Sequence, residues 1–403
     1  MMAQVVIVGA GQAGAAAAAK LRSLGHEGAI TVIGAEPAPP YQRPPLSKAY
    51  LLGEMEEERL WLRSPDFWDE ARITLRLGQP VSAIDTVERT VTMGAQTLPY
   101  DELILTTGAT PRHLPAEIGG ALDGVYTVRT LADVDTMRPE FREGRKLIII
   151  GGGYIGLEAA AVGRKLGLEV TVIEMAPRIL QRVACPETSA YFRALHQDHG
   201  ATILESTGLD RIIGDSHVIG VRLKDSRQLP ADFVIVGVGI TPNTAEAAAA
   251  GITLDNGIRT DAQGRTSAPH VWAAGDCASF PHLGLQMRIE SVGNAIDQAE
   301  LVAENIMGAA KDYIPAPWFW SDQYDTKLQI AGLNVGYDRI ITRGPVADAV
   351  SYWYYHGDTF LAVDAMNDSR AYMVGKRLIE SGRTPDPARL TDPNTDLKAL
   401  LKA

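Results

Sequence analysis

The chain has 403 residues, 46% of them apolar, and a formal charge of −11 from 38 basic and 49 acidic side chains. This length and apolar content predict about two to three domains with cores of their own. The acidic balance excludes a nucleic-acid-binding protein, which needs a basic stripe against phosphate, and the two cysteines, Cys185 and Cys277, exclude both a disulfide-built fold and a redox-active CxxC pair.

In chain order, Val5 to Val8 form an apolar strand leading into Gly9-Ala10-Gly11-Gln12-Ala13-Gly14. An alanine-rich helix from Ala15 to Leu24 follows, then a strand at Ile30 to Ile33 and an acid, Glu36. Pro37 to Lys48 holds five prolines in twelve residues and predicts an extended, preorganised segment. A charged helix is expected around Glu56 to Arg59, with Trp61 and Trp68 as packing residues. Strand-like runs lie between Ile73 and Leu98, including Val87 to Met93. Leu103 to Thr107 is a further strand, running into Gly108-Ala109-Thr110-Pro111.

Leu131 to Met137 reads as a short helix ahead of a second strand, Lys146 to Ile150. Next come Gly151-Gly152-Gly153-Tyr154-Ile155-Gly156, a helix with Leu157, Ala160, Ala161, Val162 and Leu166, and a strand from Val170 to Ile173 that ends on Glu174. In such a unit Gly151 permits the turn, Gly153 lets backbone approach a pyrophosphate at the helix N-terminus, and Gly156 allows close helix-strand packing. One GxGxxG is weak evidence. Two, each between a strand and a helix and each with an acid about 20 residues on, imply two bound dinucleotides.

Residues 187–199 read as a helix, and Ile219 to Leu223 and Phe233 to Val238 as strands. The run into Gly237-Val238-Gly239 repeats Leu103 to Gly108, so the chain contains an internal repeat. Val271 to Ala274, followed by Gly275-Asp276, raises the question whether the chain returns to its first domain. A helix at Val292 to Met307 follows. From Pro315 the composition changes to Trp318-Phe319-Trp320, strands at Leu328 to Ala331, Val350 to Tyr355 and Phe360 to Val363, and a helix from Tyr372 to Glu380: a third, α+β domain. Met1 runs straight into the first strand with no leader pattern and no apolar run approaches about 20 residues, so a cytoplasmic protein without a membrane span is expected. The histidines form no HxH or HExxH pattern, and no metal is expected; His113, His196 and His199 are read as structural or exposed.

GAGQAG at 9–14, YQRPPLSKAYL at 41–51, TTGATPR at 106–112, YTVRTLAD at 126–133, GGGYIGLE at 151–158, GVGITPN at 237–243, VWAAGDCA at 271–278 and PWFWSDQY at 317–324 carry a resemblance that spans essentially the whole chain. The sequence resembles the FAD-dependent NADH:ferredoxin reductases of bacterial oxygenase systems, of the putidaredoxin reductase and biphenyl-dioxygenase reductase type. The resemblance implies a glutathione-reductase-like α/β fold with two dinucleotide-binding domains and a C-terminal α+β domain. It places a discontinuous FAD domain at 1–111 and 240–317, an inserted NAD domain at 112–239 and the third domain at 318–403. It also implies hydride transfer from NADH to FAD, then single electrons passed to a [2Fe-2S] ferredoxin serving a cytochrome P450 or Rieske oxygenase. Rubredoxin reductase, NADH oxidase and an apoptosis-inducing-factor-like redox signalling protein are the alternatives on this fold. A monomer or weak dimer is expected.

Among single residues, the resemblance assigns Lys48 and Glu158 as a pair beside flavin N5, the ammonium favouring the charge that develops as hydride arrives; an ordinary surface ion pair is the competing reading. Gly9, Gly11, Ala13, Gly14, Arg43, Val81, Ala109, Arg129, Asp276 and Val292 fall at positions matching flavin contacts, Asp276 as the aspartate that holds the ribitol. Glu36 is placed to bond the FAD ribose, or is a solvated turn residue. Gly151, Gly153, Tyr154, Ile155, Gly156 and Gly239 fall to NAD, Tyr154 where nicotinamide docks or as packing. Glu174 accepts from the NADH ribose and repels a 2'-phosphate, so NADH is preferred, with Arg178 and Arg182 as residues that could swing toward phosphate. Glu290 binds the carboxamide or is a buried salt-bridge partner, and Trp320 covers the flavin or is core.

Overall fold

The computed structural model describes residues 3–346, 349–392 and 394–402. Met1 lies outside them. The chain divides into two compact units: residues 1–42, 57–110 and 241–317 make the first, and residues 43–56, 111–240 and 318–403 the second.

The first unit is built on a five-stranded sheet in the order Val271–Ala273, Glu102–Leu105, Val5–Val8, Ile30–Ile33, Ile73–Arg76, all neighbours parallel. Strand alternation divides the apolar residues between its faces. Val5, Ile7 and Ile104 pack with Ala17, Ala18 and Leu21 of the Gln12–Ser23 helix and with Ala299, Val302 and Ala303 of the Val292–Ile306 helix. Val6, Val8, Leu103 and Leu105 pack on the other side with Val91 and Met93, from an antiparallel sheet of Ala83–Asp85, Thr90–Met93 and Gln96–Pro99.

The second unit repeats this scheme. Its parallel sheet runs Val125–Tyr126, Phe233–Val236, Lys146–Ile150, Glu169–Ile173, Thr202–Leu204, and a three-stranded antiparallel sheet of Leu209–Gly214, Val218–Leu223 and Gln228–Pro230 accompanies it. Only the fifth parallel strand differs in origin. In the second unit it precedes the glycine motif; in the first it is Val271–Ala273, so the chain does return to the sheet it began with. The second unit also holds an antiparallel sheet ordered Trp318–Gln323, Thr326–Gly332, Thr359–Met366, Ala349–His356, Arg339–Val346. The Ser369–Glu380 helix packs Tyr372, Val374 and Leu378 against Trp353, Tyr355 and Val363 of that sheet.

Four local expectations are corrected. The helix expected from Ala15 begins at Gln12, because Gly11 is its N-cap. Val87 is 85% exposed in a turn, not a strand, since Asp85 Oδ1 accepts the Val87 and Glu88 N–H groups at 2.9 Å. The proline segment is not extended throughout: Pro44–Ser47 is a 3₁₀ turn with proline in its first positions, where the missing N–H costs nothing, and Glu57–Leu60 is 3₁₀ rather than α.

Asp364 is wholly buried in the last sheet. Its Oδ2 accepts from the Tyr354 hydroxyl and, at 2.7 Å, from the Thr188 hydroxyl, while Tyr354 accepts the Cys185 N–H at 2.9 Å. The Pro186–Asp198 helix is tied to the sheet through this cluster. Burial pushes the Asp364 carboxyl up to about 6, with the two hydroxyls pulling it back. Because the folded value exceeds the unfolded one, this group's stabilisation is complete below about pH 4 and is lost as pH rises through about 6, a difference of about 3 kcal/mol. The Tm of the native protein minus that of Asp364→Asn should therefore grow as pH falls from 7 to 4. A pH-independent difference in calorimetry would contradict it.

Candidate active site

In the first unit, a Cβ at Gly9 (φ +120°) would lie 2.1 Å from the Thr106 carbonyl oxygen, and one at Gly14 would lie 1.9 Å from that of Gly9. These two glycines are required by the turn itself. Gly11 is different: a Cβ there meets nothing within 4 Å, and no side chain caps the helix it starts. The second unit repeats the arrangement. Cβ atoms at Gly151 and Gly156 would lie 2.3 Å from the Gly237 oxygen and 2.4 Å from the Gly151 oxygen, whereas Gly153 faces open space on an uncapped helix, Tyr154–Lys165. Among the described residues every other helix of seven or more residues is closed by a side chain, from Thr130, Cys185, Ser291 and Asp368, while the short Pro65–Glu70 and Ala245–Ala249 helices have no side-chain cap. Two uncapped helix ends with room for backbone approach fit the pyrophosphates of two dinucleotides.

Around the first turn, Tyr41, itself buried, donates its hydroxyl to Glu36 Oε2 at 2.6 Å. Gly275 (φ +81°) passes so close to Ala13 that an added Cβ would stand 3.0 Å from that methyl, and its N–H is held by Gln298 Oε1 at 2.9 Å. Half-buried Asp276 follows directly. Val292 begins its helix with Ser291 as cap. Val81 and Ala109 are buried, Val81 in the core. Glu290 pairs with Arg288 at 2.7 Å, but it is exposed rather than the buried partner expected, because the shielded member of the pair is the guanidinium.

Around the second turn, Glu174 Oε2 accepts the Gly152 N–H at 2.8 Å and Oε1 the Ala176 N–H at 2.7 Å, so the acid is fixed against the glycine motif. Gly239 (φ +102°) accepts the Arg112 N–H at 2.9 Å. Arg43 donates to the Arg129 carbonyl at 2.7 Å, and the Arg129 N–H to Asp133 at 3.0 Å. Ile155 is 46% exposed in the first helical turn. Tyr154 sets its ring 4.7 Å from that of Phe319; its hydroxyl is enclosed, without a hydrogen-bond partner among the described residues, and burial raises its pKa well above the usual phenol.

Lys48 and Glu158 meet within this unit. Lys48 ends the Pro44–Ser47 turn, and its Nζ lies 2.9 Å from Glu158 Oε1 and 3.3 Å from the Pro44 carbonyl oxygen. Glu158 is 3% exposed, so this is not a surface ion pair. Ser47 donates to Oε2 and Ser321 to Oε1, both at 2.6 Å. Burial pushes the Glu158 carboxyl up, and Lys48, then the Ser321 and Ser47 hydroxyls, pull it down. Half-buried Trp320 stacks on Trp318 at 5.4 Å, and its ring centroid is 5.9 Å from Lys48 Nζ. The arrangement can hold a fixed ammonium at one point with little reorganisation.

Residues 3–299 match the pyridine nucleotide-disulphide oxidoreductase family and residues 318–401 the reductase C-terminal family. A ferredoxin–NAD(P)(+) reductase of a Sphingomonas species is 44% identical, with 98% of this chain and 97% of that protein covered. Putidaredoxin reductase of Pseudomonas putida is 41% identical over 99% of this chain and 97% of its own length. The chain belongs to this ferredoxin–NAD(+) reductase family. The crystal structure of a covalent putidaredoxin reductase–putidaredoxin complex matches with a TM-score of 0.96 at 40% identity, covering 99% of the reductase described here and 98% of that chain.

Sequence reasoning missed Tyr41, Ser47 and Ser321 in this reductase. Ser47 precedes Lys48 and Ser321 follows Trp320, but a hydroxyl beside a motif has no pattern that marks it. Among the described residues no His, Cys, Asp and Glu cluster gathers as metal ligands, and no helix is long and apolar enough to cross a membrane.

Proposed function

We propose that the reductase takes hydride from NADH and passes single electrons to a [2Fe-2S] ferredoxin that serves a cytochrome P450 or Rieske oxygenase. Bound FAD supplies the exchange between two-electron and one-electron chemistry. Segments 1–111 and 240–317 hold FAD through Gly11, Glu36 and Asp276, segment 112–239 holds NADH through Gly153 and Glu174, and 318–403 supplies Trp320. The observation that carries this reading is the buried, doubly hydroxyl-supported Lys48–Glu158 pair beside the NAD turn. Lys48 presents its charge where hydride arrives at the flavin, and Glu158 holds it there.

Anaerobic stopped-flow absorbance tests the reading: the yellow protein is mixed with NADH, then with [2Fe-2S] ferredoxins and rubredoxin. Fast bleaching followed by fast reoxidation by a [2Fe-2S] ferredoxin is expected. Bleaching without that reoxidation moves the acceptor to rubredoxin or oxygen, and slow bleaching with a persistent long-wavelength band favours the signalling alternative.

NADH is the preferred coenzyme in this reading. Arg178, a residue that could have met a 2'-phosphate, is committed instead to the Ala184 and Cys185 carbonyls and the Ser189 hydroxyl. Glu174 repels the phosphate. Glu174→Ala should narrow the NADH over NADPH ratio in kcat/KM by about tenfold, a charge-assisted contact's worth; an unchanged ratio would sink the assignment. The two free, buried cysteines suit a reducing cytoplasm. Among the described residues, exposed large apolar side chains come singly in sequence, apart from neighbours such as Leu283 and Leu285 at one hairpin tip, which suits a monomer or weak dimer.

A further inference from the structure

We propose that Ser321, Gln323 and His196 form a directional hydrogen-bond relay that positions Glu158, keeping its carboxylate ionised and turned toward Lys48. The proposal rests on the reading of that pair as hydride-transfer machinery.

An ionised carboxylate only accepts, so the Ser321 hydroxyl, 2.6 Å from Glu158 Oε1, must donate to it. With its proton committed, Ser321 Oγ can only accept, and Gln323 Nε2 stands 3.1 Å away to donate. This sets the Gln323 amide, whose Oε1 then faces His196 Nε2 at 2.8 Å; that nitrogen must carry the ring proton. His196 Nδ1 is left as acceptor, with the Tyr324 hydroxyl 3.2 Å away. Each donor points one step closer to Glu158.

Ser321, Gln323 and His196 are all 0% exposed, so water does not compete for these bonds. A ring that donates at one nitrogen and accepts at the other must be neutral, and burial drives His196 down to about 4. His199 stacks on Tyr324, centroids 3.7 Å apart, at the outer end. The sequence pattern supports the geometry: Ser321 and Gln323 are alternate residues of the Trp318–Gln323 strand and share one face, opposite Trp318 and Trp320. His196 comes from the Pro186–Asp198 helix. The charged and titratable groups that bear on Glu158 are Lys48 from residues 43–56 and Tyr154, one turn earlier on its own helix. The strand presents Ser321 and, behind it, Gln323, through which His196 acts.

Infrared difference titration of the purified flavoprotein reads the Glu158 carboxyl directly, with Glu158→Gln identifying its signal. Ser321→Ala should raise the midpoint by about one pH unit, the loss of one charge-assisted bond, and Ser321→Thr should return it. His196→Phe should raise it less. In stopped flow, Ser321→Ala should reduce flavin about tenfold more slowly below the new midpoint and at the native rate above it. An unshifted midpoint in both Ser321→Ala and His196→Phe would overturn the relay. If Glu158→Gln reduces flavin at the native rate, the hydride-transfer reading of the pair falls instead, while the infrared shift still decides the relay.

Discussion

Glu158→Gln is expected to slow reduction of the bound flavin by NADH about 10²-fold while the protein stays folded and yellow, because the loss falls on electrostatic preorganisation rather than on packing. Glutamine keeps the shape and can still accept from Ser321 and Lys48, but it no longer carries the charge that fixes the ammonium. Lys48→Met should produce a loss of similar size by another route. It removes the group that does most to lower the Glu158 pKa, so the buried carboxyl is pushed further toward its neutral form instead of standing uncompensated. Because both changes dismantle one device, the double variant should be little slower than either single one. Rapid-mixing traces in which Glu158→Gln bleaches within about twofold of the native rate would remove the pair from the chemistry.

The second large effect separates two glycines of one motif. Gly14→Ala forces a methyl to 1.9 Å from the Gly9 carbonyl oxygen, so the strand-turn-helix must open, and loss of soluble, folded protein is expected. Gly11→Ala meets nothing within 4 Å and sits in extended backbone, so folding should survive at a cost of about 1 kcal/mol for the poorer N-cap. Its methyl occupies the approach to the uncapped N–H groups, and flavin should dissociate about 10²-fold faster as charge-assisted bonds to phosphate weaken. Circular dichroism and flavin fluorescence measured together check this. A Gly11→Ala protein that holds FAD as tightly as the native one would place the pyrophosphate elsewhere.

Trp320 and Tyr154 show how far local reading reaches. Both stand in aromatic or glycine-rich motifs, yet only the packed chain shows that Trp320 is half-buried, stacked on Trp318 and close to Lys48, and that the Tyr154 ring lies against Phe319. Similarly, His196 read as structural or exposed, and only its Gln323 and Tyr324 partners show it to be one link in a buried chain.

The two glycine turns, the continuous apolar strands and the repeat were determined by sequence alone, because each depends on contacts within a few residues or on neighbouring strands of the same sheet. A Cβ about 2 Å from a carbonyl forbids any residue but glycine, and continuous apolar runs such as Val5–Val8 and Phe233–Val236 suit strands of a parallel sheet buried on both faces. What surrounds Glu158 was decided by tertiary structure. Ser47 lies 111 residues from it and Ser321 lies 163 away, and Thr188 and Asp364 are separated by 176. Burial, which pushes this carboxyl's pKa up against the pull of Lys48 and two hydroxyls, is likewise a property of the packed chain. Hydroxyls, amides and imidazoles gain their roles from distance and direction, and no spacing along the chain encodes either.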